Sequence, residues 1–228
     1  MKTLYIFLLF LPFISVSGQL KEADVQFTGC GSYFFSYSFP TGKLANYFPV
    51  YFGMGVNLEF RYKDFVLDIS KIGSQLKDLK SDFYFNGNWI KNTPTKLSFY
   101  EVLIGHTIIN NGTFVISPVI GAEIPKIVAS SGYIHDNSQY GDMSIYGFSP
   151  EIGWNIELAT KPGELFKNKN TKRMKYYLHT RLQLVYEFTN FDSTTPELKG
   201  GFFKVQFGAG ITAKRFKKDS PKKKAILK

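Results

Sequence analysis

The sequence predicts an all-β protein, an eight-stranded antiparallel up-and-down transmembrane β-barrel. The clearest strand is residues 51–62, where large apolar side chains fill the even positions and glycine or polar groups such as Asn57 and Glu59 fill the odd ones. This is the two-residue period of a β-strand. About seven other stretches share it. A soluble barrel turns its apolar faces inward, whereas a membrane barrel turns them to lipid and keeps small and polar groups inside.

The other strands follow from the same alternation. In order, the eight predicted strands cover residues 25–37, 51–62, 65–72, 98–109, 113–124, 144–158, 176–189 and 202–213. Residues 51–62 are about long enough to cross a bilayer core when tilted. Phe34 interrupts the alternation of the first strand, in which Tyr33 and Phe35 share the opposite face.

The connections between these strands alternate between short and long. Lys63-Asp64 and 110–112 (Asn-Asn-Gly) predict tight turns. Residues 39–49, 73–96 and 126–143 predict long loops. Short turns on one side and long loops on the other are typical of membrane barrels. A long basic segment, 161–175, is the exception, because it falls on the side of the short turns.

Two of the predicted strands contain a proline within a shared Ser-Pro-x-Ile-Gly sequence. These prolines are Pro118 and Pro150. Proline has no backbone N–H to donate to a neighbouring strand, so it is disfavoured inside a sheet. We therefore expect a β-bulge at each proline.

The N-terminus has the pattern of a secretory signal peptide. Met1-Lys2-Thr3 is followed by an apolar run to residue 16 and then by small residues. The run is too short for a stable transmembrane helix. We therefore divide the chain into a signal peptide (1–18), a barrel domain (19–216) and a basic C-terminal tail (217–228).

The net charge of +10 is unevenly distributed. Residues 214–228 hold eight basic residues and 161–175 hold six, which leaves the rest of the chain mildly acidic. A secreted chain has little access to nucleic acid, and the tail carries no aromatic residue after Phe216. We therefore expect the tail to be solvated or to rest on anionic lipid headgroups. The single cysteine, Cys30, excludes an intramolecular disulfide and a cysteine-built zinc site.

These features resemble the small outer-membrane β-barrel proteins of Gram-negative envelopes, the eight-stranded porin-like family, over residues 25–216. The last strand adds to the resemblance. Gln206, Gly208, Ile211 and Ala213 match the pattern by which the barrel-assembly machinery recognises a terminal strand. Phe216 would stand for the family's closing aromatic residue, although further residues follow it. The resemblance implies the outer membrane as location, its lipid and the assembly machinery as partners, and a monomer; it implies no reaction.

The inward face of the predicted barrel carries many charged groups, which we expect to form a lumen polar network. They are Glu59, Arg61, Asp68, Glu101, Glu123, Glu151, Glu157, Arg181, Glu187 and Lys204, together with His179. Eight strands leave an interior that side chains can fill. Unpaired charges there would be costly, so we expect a plug of ion pairs. A narrow proton or ion path is the alternative.

The sequence carries no pattern that indicates an enzyme, a cofactor or a metal. His106, His135 and His179 lack the spacing of metal ligands. There is no nucleophile elbow and no phosphate-binding loop. We therefore expect no catalytic activity, no cofactor and no metal site.

The outer loops are the best candidates for a binding role. They contain aromatic residues that suit an interface or an aromatic girdle: Phe83, Tyr84, Phe85, Trp89 and Tyr133. The predicted function is structural, or surface-binding through these loops. The alternative is a soluble secreted lipocalin-like barrel with an apolar ligand inside and its glutamates in water. Glycines that alternate with large apolar residues favour the membrane barrel, because they fit a narrow lumen: Gly53, Gly55, Gly153, Gly208 and Gly210.

Overall fold

The computed structural model describes residues 25–85, 88–110, 114–129, 144–159, 174–189, 191 and 198–216. In this part of the chain, eight long strands form a closed antiparallel barrel. They are β1 (Val25–Gly42), β2 (Tyr51–Tyr62), β3 (Phe65–Ser74), β4 (Pro94–His106), β5 (Phe114–Ala129), β6 (Ser149–Ala159), β7 (Met174–Glu187) and β8 (Gly200–Phe216). Each strand pairs with the next, and β8 pairs with β1. The predicted eight-stranded up-and-down barrel is confirmed.

Some of the predicted segments lie outside the described residues. These are the signal peptide (1–18), the basic tail (217–228), Tyr133 and most of the 161–175 segment. The turn at 110–112 is described only at Asn110.

The barrel has two distinct ends. At the turn end, Lys63 and Asp64 join β2 to β3, with Lys63 at a φ of 55°. The described barrel also begins and finishes at this end, at Val25 and Phe216. At the loop end lie the connections that follow β1, β3, β5 and β7.

The loop end has short elements of its own. Helix α1 (Leu44–Tyr47) follows β1. Short strands lie at Lys77–Asp78, Phe83–Tyr84, Asn88–Trp89 and Ser144–Tyr146, and a further one, Ile109–Asn110, lies at the turn end. Among the described residues, no helix has the length and hydropathy needed to cross a membrane.

Several strands extend beyond their predicted ends. β1 continues through residues 39–42, and β5 runs to Ala129 through residues predicted as loop. The cause is pairing between strands, since Thr41 is opposite Gly201 and Thr95 is opposite Ala129. Backbone hydrogen bonds to an existing neighbour outweigh the loop-like composition of these stretches.

The predicted strand 144–158 is interrupted. Its first three residues pair with β5, but β6 proper begins only at Ser149. Gly147 lies at the break, and a Cβ on it would fall 2.8 Å from the Phe191 ring. The chain therefore bends where a loop-end aromatic residue approaches the backbone.

The expected bulges at the prolines are absent from β5 and β6, whose mutual register is continuous. Pro118 instead faces an irregularity in the neighbouring strand. Gly105 pairs with Val119 and Ile109 with Ile116, so three residues oppose two there. Pro150 accepts a hydrogen bond from the Phe188 N–H just after β7 has ended. At each proline, the backbone nitrogen that lacks a hydrogen thus faces a place where the adjacent strand is irregular or has already ended.

The faces of the barrel are reversed relative to a soluble protein. Leu58 and Ile120 on the outside are 55% and 56% exposed, whereas Glu59 and Glu101 inside are at most 1% exposed. Outward aromatic residues lie near the turn end (Phe27, Phe60, Tyr62 and Phe65), near the loop end (Tyr37, Phe39, Phe148 and Phe203) and between the two (Tyr33, Phe35 and Phe207). A continuous apolar outer face with aromatic residues near both ends is typical of the exterior of a transmembrane barrel. The lipocalin-like alternative is wrong, because it needs the opposite orientation of these faces.

Candidate functional site: the closed lumen

The lumen contains a buried group of charges nearer the loop end, here called the lysine cluster: Lys204, Glu101, Glu123, Glu151 and Glu187. The Lys204 Nζ lies 2.7 Å from Glu101 Oε2, 2.6 Å from Glu123 Oε2 and 3.5 Å from Glu187 Oε2, and it also contacts Glu151 Oε1. The five side chains come from five consecutive strands, β4 to β8. One ammonium therefore joins more than half of the barrel wall.

Neighbouring side chains complete part of this cluster. The Lys204 Nζ lies 4.4 Å from the centroid of the Phe99 ring, a cation–π distance. Ser70 Oγ donates a 2.9 Å hydrogen bond to Glu101. Oxygens of Glu101, Glu123 and Glu151 lie within 4.8 Å of one another, close enough for a metal ion. The Lys204 ammonium, however, contacts all three carboxylates, so the protein itself supplies the cation there.

A second group lies nearer the turn end, here called the arginine cluster: Arg61, Arg181, Glu59, Asp68 and Glu157. Arg61 pairs with Glu59 and Glu157, and Arg181 pairs with Asp68, with its Nη1 3.5 Å from Glu59. All five side chains are at most 10% exposed.

Two asparagines link the members of the arginine cluster. Asn57 accepts a 2.6 Å hydrogen bond from Arg181 and donates to Asp68. Asn155 donates to Glu59 Oε2 at 2.7 Å and to Glu157 Oε1 at 3.2 Å. The two neutral amides thus supply additional hydrogen bonds to the charged groups, which buried ion pairs require.

The ion pairs span the lumen between opposite walls. Lys204 to Glu101 joins β8 to β4, Arg61 to Glu157 joins β2 to β6, and Arg181 to Asp68 joins β7 to β3. In a ring of eight strands, each of these pairs is four strands apart, which is the largest separation possible. Charged side chains of opposite walls therefore meet across the full diameter in both clusters.

Buried apolar side chains also line the lumen beside the two clusters. Leu103, Val119 and Val185 pack together, and all are at most 1% exposed. Phe34 also points inward and is 7% exposed. A Cβ on Gly208 would lie 2.6 Å from Phe34 Cβ, and one on Gly55 would lie 2.6 Å from Phe34 Cζ. Phe34 interrupts the alternation in the sequence because its side chain fills part of the lumen. The inward-facing glycines leave the space that this side chain occupies.

A small polar group lies closer to the turn end. Thr212 Oγ1 is 2.9 Å from His179 Nδ1, and Cys30 Sγ is 3.2 Å from His179 Nε2. Cys30 and His179 are both buried. The contact between Cys30 and His179 joins residues 149 positions apart in sequence, which no local pattern could show.

The loop end of the lumen is closed by an apolar cap. Its buried members are Leu44, Phe48, Tyr51, Leu79, Phe83, Trp89, Leu97, Phe99, Ile127, Ile145, Phe191, Leu198 and Phe202. The Trp89 and Phe83 rings stack with centroids 5.4 Å apart, and Phe83 meets Phe48 edge-on at 5.5 Å. The loop after β3 thus folds inward over the barrel mouth.

The burial of aromatic residues in this cap differs from the prediction that the loop aromatic residues offer a binding surface. Phe83 and Trp89 are 8% and 1% exposed, because they fill the barrel mouth, and Phe85 packs against the cap. Only Tyr84 of the four described residues is fully at the surface, at 71% exposure. Tyr133 lies outside the described residues.

The proposed assembly-signal residues all lie on the strand that closes the barrel. Gln206 and Gly208 face the lumen and are buried, whereas Ile211 and Ala213 face outward. β8 pairs with β1 on one side and with β7 on the other. The four residues thus alternate between the two faces of the barrel wall, and their role as an assembly signal stays a prediction.

Comparisons with known proteins find similar solved structures but no similar sequence family. No protein-family model matches the chain, and no curated protein matches it. The similar solved structures include Neisserial surface protein A (8% identity, TM-score 0.49, over 82% of this chain and 96% of that one). They also include Ail of Yersinia pestis with the heparin analogue sucrose octasulfate (13%, 0.47, 82% and 99%) and a major outer membrane protein of Thermus thermophilus (11%, 0.46, 81% and 98%).

Proposed function

We propose that this chain is an outer-membrane barrel protein with a closed lumen and a structural or surface-binding role carried by its loop end. The observation that carries the proposal is the reversed barrel. Apolar side chains face outward, and paired charges meet across the inside. The apolar exterior of such a barrel needs lipid or detergent around it.

The closed lumen argues for a role other than conduction. Two groups of ion pairs, buried apolar side chains and the apolar cap occupy the lumen. An ion would have to displace charges that are already paired and cross side chains that offer it no ligand. We therefore favour an ion-pair plug over an ion path, and a binding or structural role over catalysis.

Two sequence patterns support export of the protein and its insertion into the outer membrane. The signal-peptide pattern of residues 1–18 supports export, and the terminal-strand pattern of β8 supports recognition by the barrel-assembly machinery. The protein then acts as a monomer, with the loop end outside the cell and the turn end in the periplasm. Tyr84 is the exposed aromatic candidate for contact with a surface partner.

Orientation can be tested with single cysteines in a Cys30→Ala background. Tyr84→Cys is at the loop end and Lys63→Cys is at the turn end. With a membrane-impermeant maleimide on intact cells, we expect the first to be labelled and the second to be labelled only after the outer membrane is permeabilised. Labelling of Lys63→Cys alone on intact cells would contradict the proposed orientation.

The plug can be tested by conductance across planar bilayers. Folded wild-type protein should give no steady ohmic current above that of bilayers containing only detergent. A reproducible open-channel current from purified protein would refute the closed lumen and favour the ion path.

A further inference from the structure

Charged side chains on the outer wall of the barrel have one sign. All the carboxylates on the eight strands that the structure describes face the lumen. The outward-facing charged side chains described on these strands are Lys71, Lys96 and Lys126. They lie on β3, β4 and β5, which are adjacent strands. One sector of the wall therefore carries three positive charges, and no described carboxylate on these eight strands faces outward beside them; Asp78, on the short strand opposite Pro94, is the described acid nearest in register to Lys96.

The register brings these lysines together near the loop end. Lys71 pairs with Tyr100, and Lys126 is opposite Ser98, two residues from Lys96. Lys96 leans toward β3, with its Cε 3.9 Å from where a Cβ on Gly73 would lie. The glycine leaves the space in which the Lys96 side chain approaches the Lys71 strand.

Two of these lysines lie against tyrosine rings. The Lys71 Nζ lies 5.1 Å from the centroid of the Tyr100 ring, and the Lys126 Nζ lies 4.9 Å from that of Tyr146. Both distances are within cation–π range. We call the three lysines and two tyrosines the rim patch. Its amphipathic side chains suit the boundary between the apolar belt and the headgroups.

A lysine on a lipid-facing wall is unfavourable unless its ammonium reaches polar surroundings. Three such lysines on adjacent strands also repel one another. An anion between the three lysines would lower both the cost of placing them on a lipid-facing wall and their mutual repulsion. The anions found at the boundary between the apolar belt and the headgroups are lipid phosphates.

We propose that the rim patch binds the phosphate of an anionic lipid headgroup in the leaflet that surrounds the loop end. The inference rests on the proposed function, since it needs the barrel to span a membrane. The ammonium groups of Lys71, Lys96 and Lys126 bind phosphate oxygens, and the Tyr100 and Tyr146 rings lie along the adjoining acyl-chain boundary. The site is specific to one sector of the barrel.

The test is native mass spectrometry of the folded full-length barrel in a non-ionic detergent, titrated with phosphatidylglycerol, cardiolipin or phosphatidylcholine. The variant is Lys71→Gln/Lys96→Gln/Lys126→Gln. Its matched control is Lys43→Gln/Lys77→Gln/Lys91→Gln, which removes the same charge from exposed loop-end lysines. A heat-dependent gel shift of each sample shows that it is folded, so that a failure to form the barrel is distinguished from a failure to bind lipid.

We expect wild type and control to retain the two anionic lipids at least about tenfold better than phosphatidylcholine, and the patch variant to lose this preference. The triple arginine variant should keep it, because charge and donors remain. An unchanged preference in the folded patch variant, or an equal loss in the control, would overturn the proposal. Complete competition by millimolar inorganic phosphate would also overturn it, since the site would then bind the free anion.

Discussion

Lys204 on β8 and Glu101 on β4 lie on opposite walls of the barrel, and their Nζ and Oε2 atoms are 2.7 Å apart. Both side chains are fully buried. Two other ion pairs, Arg61 with Glu157 and Arg181 with Asp68, make the same crossing. These ion pairs therefore connect strands that share no backbone hydrogen bonds.

Lys204→Met should strongly destabilise the barrel. The substitution keeps much of the side-chain volume but leaves four buried carboxylates without their cation. Removing one partner of a buried pair typically costs about 3–5 kcal/mol. Urea unfolding of the protein in lipid vesicles, followed by the gel shift, measures this loss. Lys77→Met, at an exposed site, is the control, and an equal effect of the two would contradict a structural role for the lysine cluster.

The pair Arg61 and Glu157 should show energetic coupling across the lumen. Arg61→Met and Glu157→Gln each leave a charge without its partner, so the double variant should lose less stability than the two single losses added together. We expect a coupling of about 1–3 kcal/mol from unfolding free energies of the four proteins. Additive effects would mean that the contact carries no coupling energy.

Gly208→Ala should destabilise the barrel, because a Cβ there would lie 2.6 Å from both Phe34 Cβ and the Tyr33 carbonyl oxygen. Forcing atoms into a filled interior costs about 1–3 kcal/mol. Gly31→Ala is the matched control on the outer face, where the nearest atom, Leu58 Cδ2, is 3.9 Å away. Refolding yield and urea unfolding should separate the two variants; a tolerated Gly208→Ala would show that the lumen has room to relax.

Trp89→Ala should open the apolar cap while leaving the barrel closed. Trp89 is 1% exposed and stacks on Phe83, so its removal leaves a large hole in the loop-end packing. We expect faster proteolytic cleavage in the loop after β3, with an unchanged gel shift. Tyr84→Ala removes an exposed ring from the same loop and should leave the cleavage rate as in wild type. Equal protection of both variants would argue against the cap.

The strands and their faces could be predicted from the sequence, because alternation is a local property. The pattern of residues 51–62 predicts which side chains face outward, and β2 has the predicted bounds. Strand ends were less predictable. Residues 39–42 have the composition of a loop, but their pairing with β8 extends β1.

The arrangement of the lumen could be predicted only in part. Alternation places Lys204 and Glu101 on the inward face, but which charges meet depends on the register around the whole barrel. The burial of Phe83 and Trp89 could not be predicted either, because an aromatic loop residue has the same local pattern whether it faces a partner or folds back over a barrel mouth. The role of Phe34 becomes clear only when Gly55 and Gly208 are seen beside it.

The central claim is that the outward apolar face lies in lipid. Membrane fractionation with a heat-modifiability gel tests it most directly. We expect the protein in the outer-membrane fraction, with a folded band in detergent that changes its mobility on boiling. A protein that remains soluble and monodisperse without detergent, and migrates identically before and after boiling, would contradict the account.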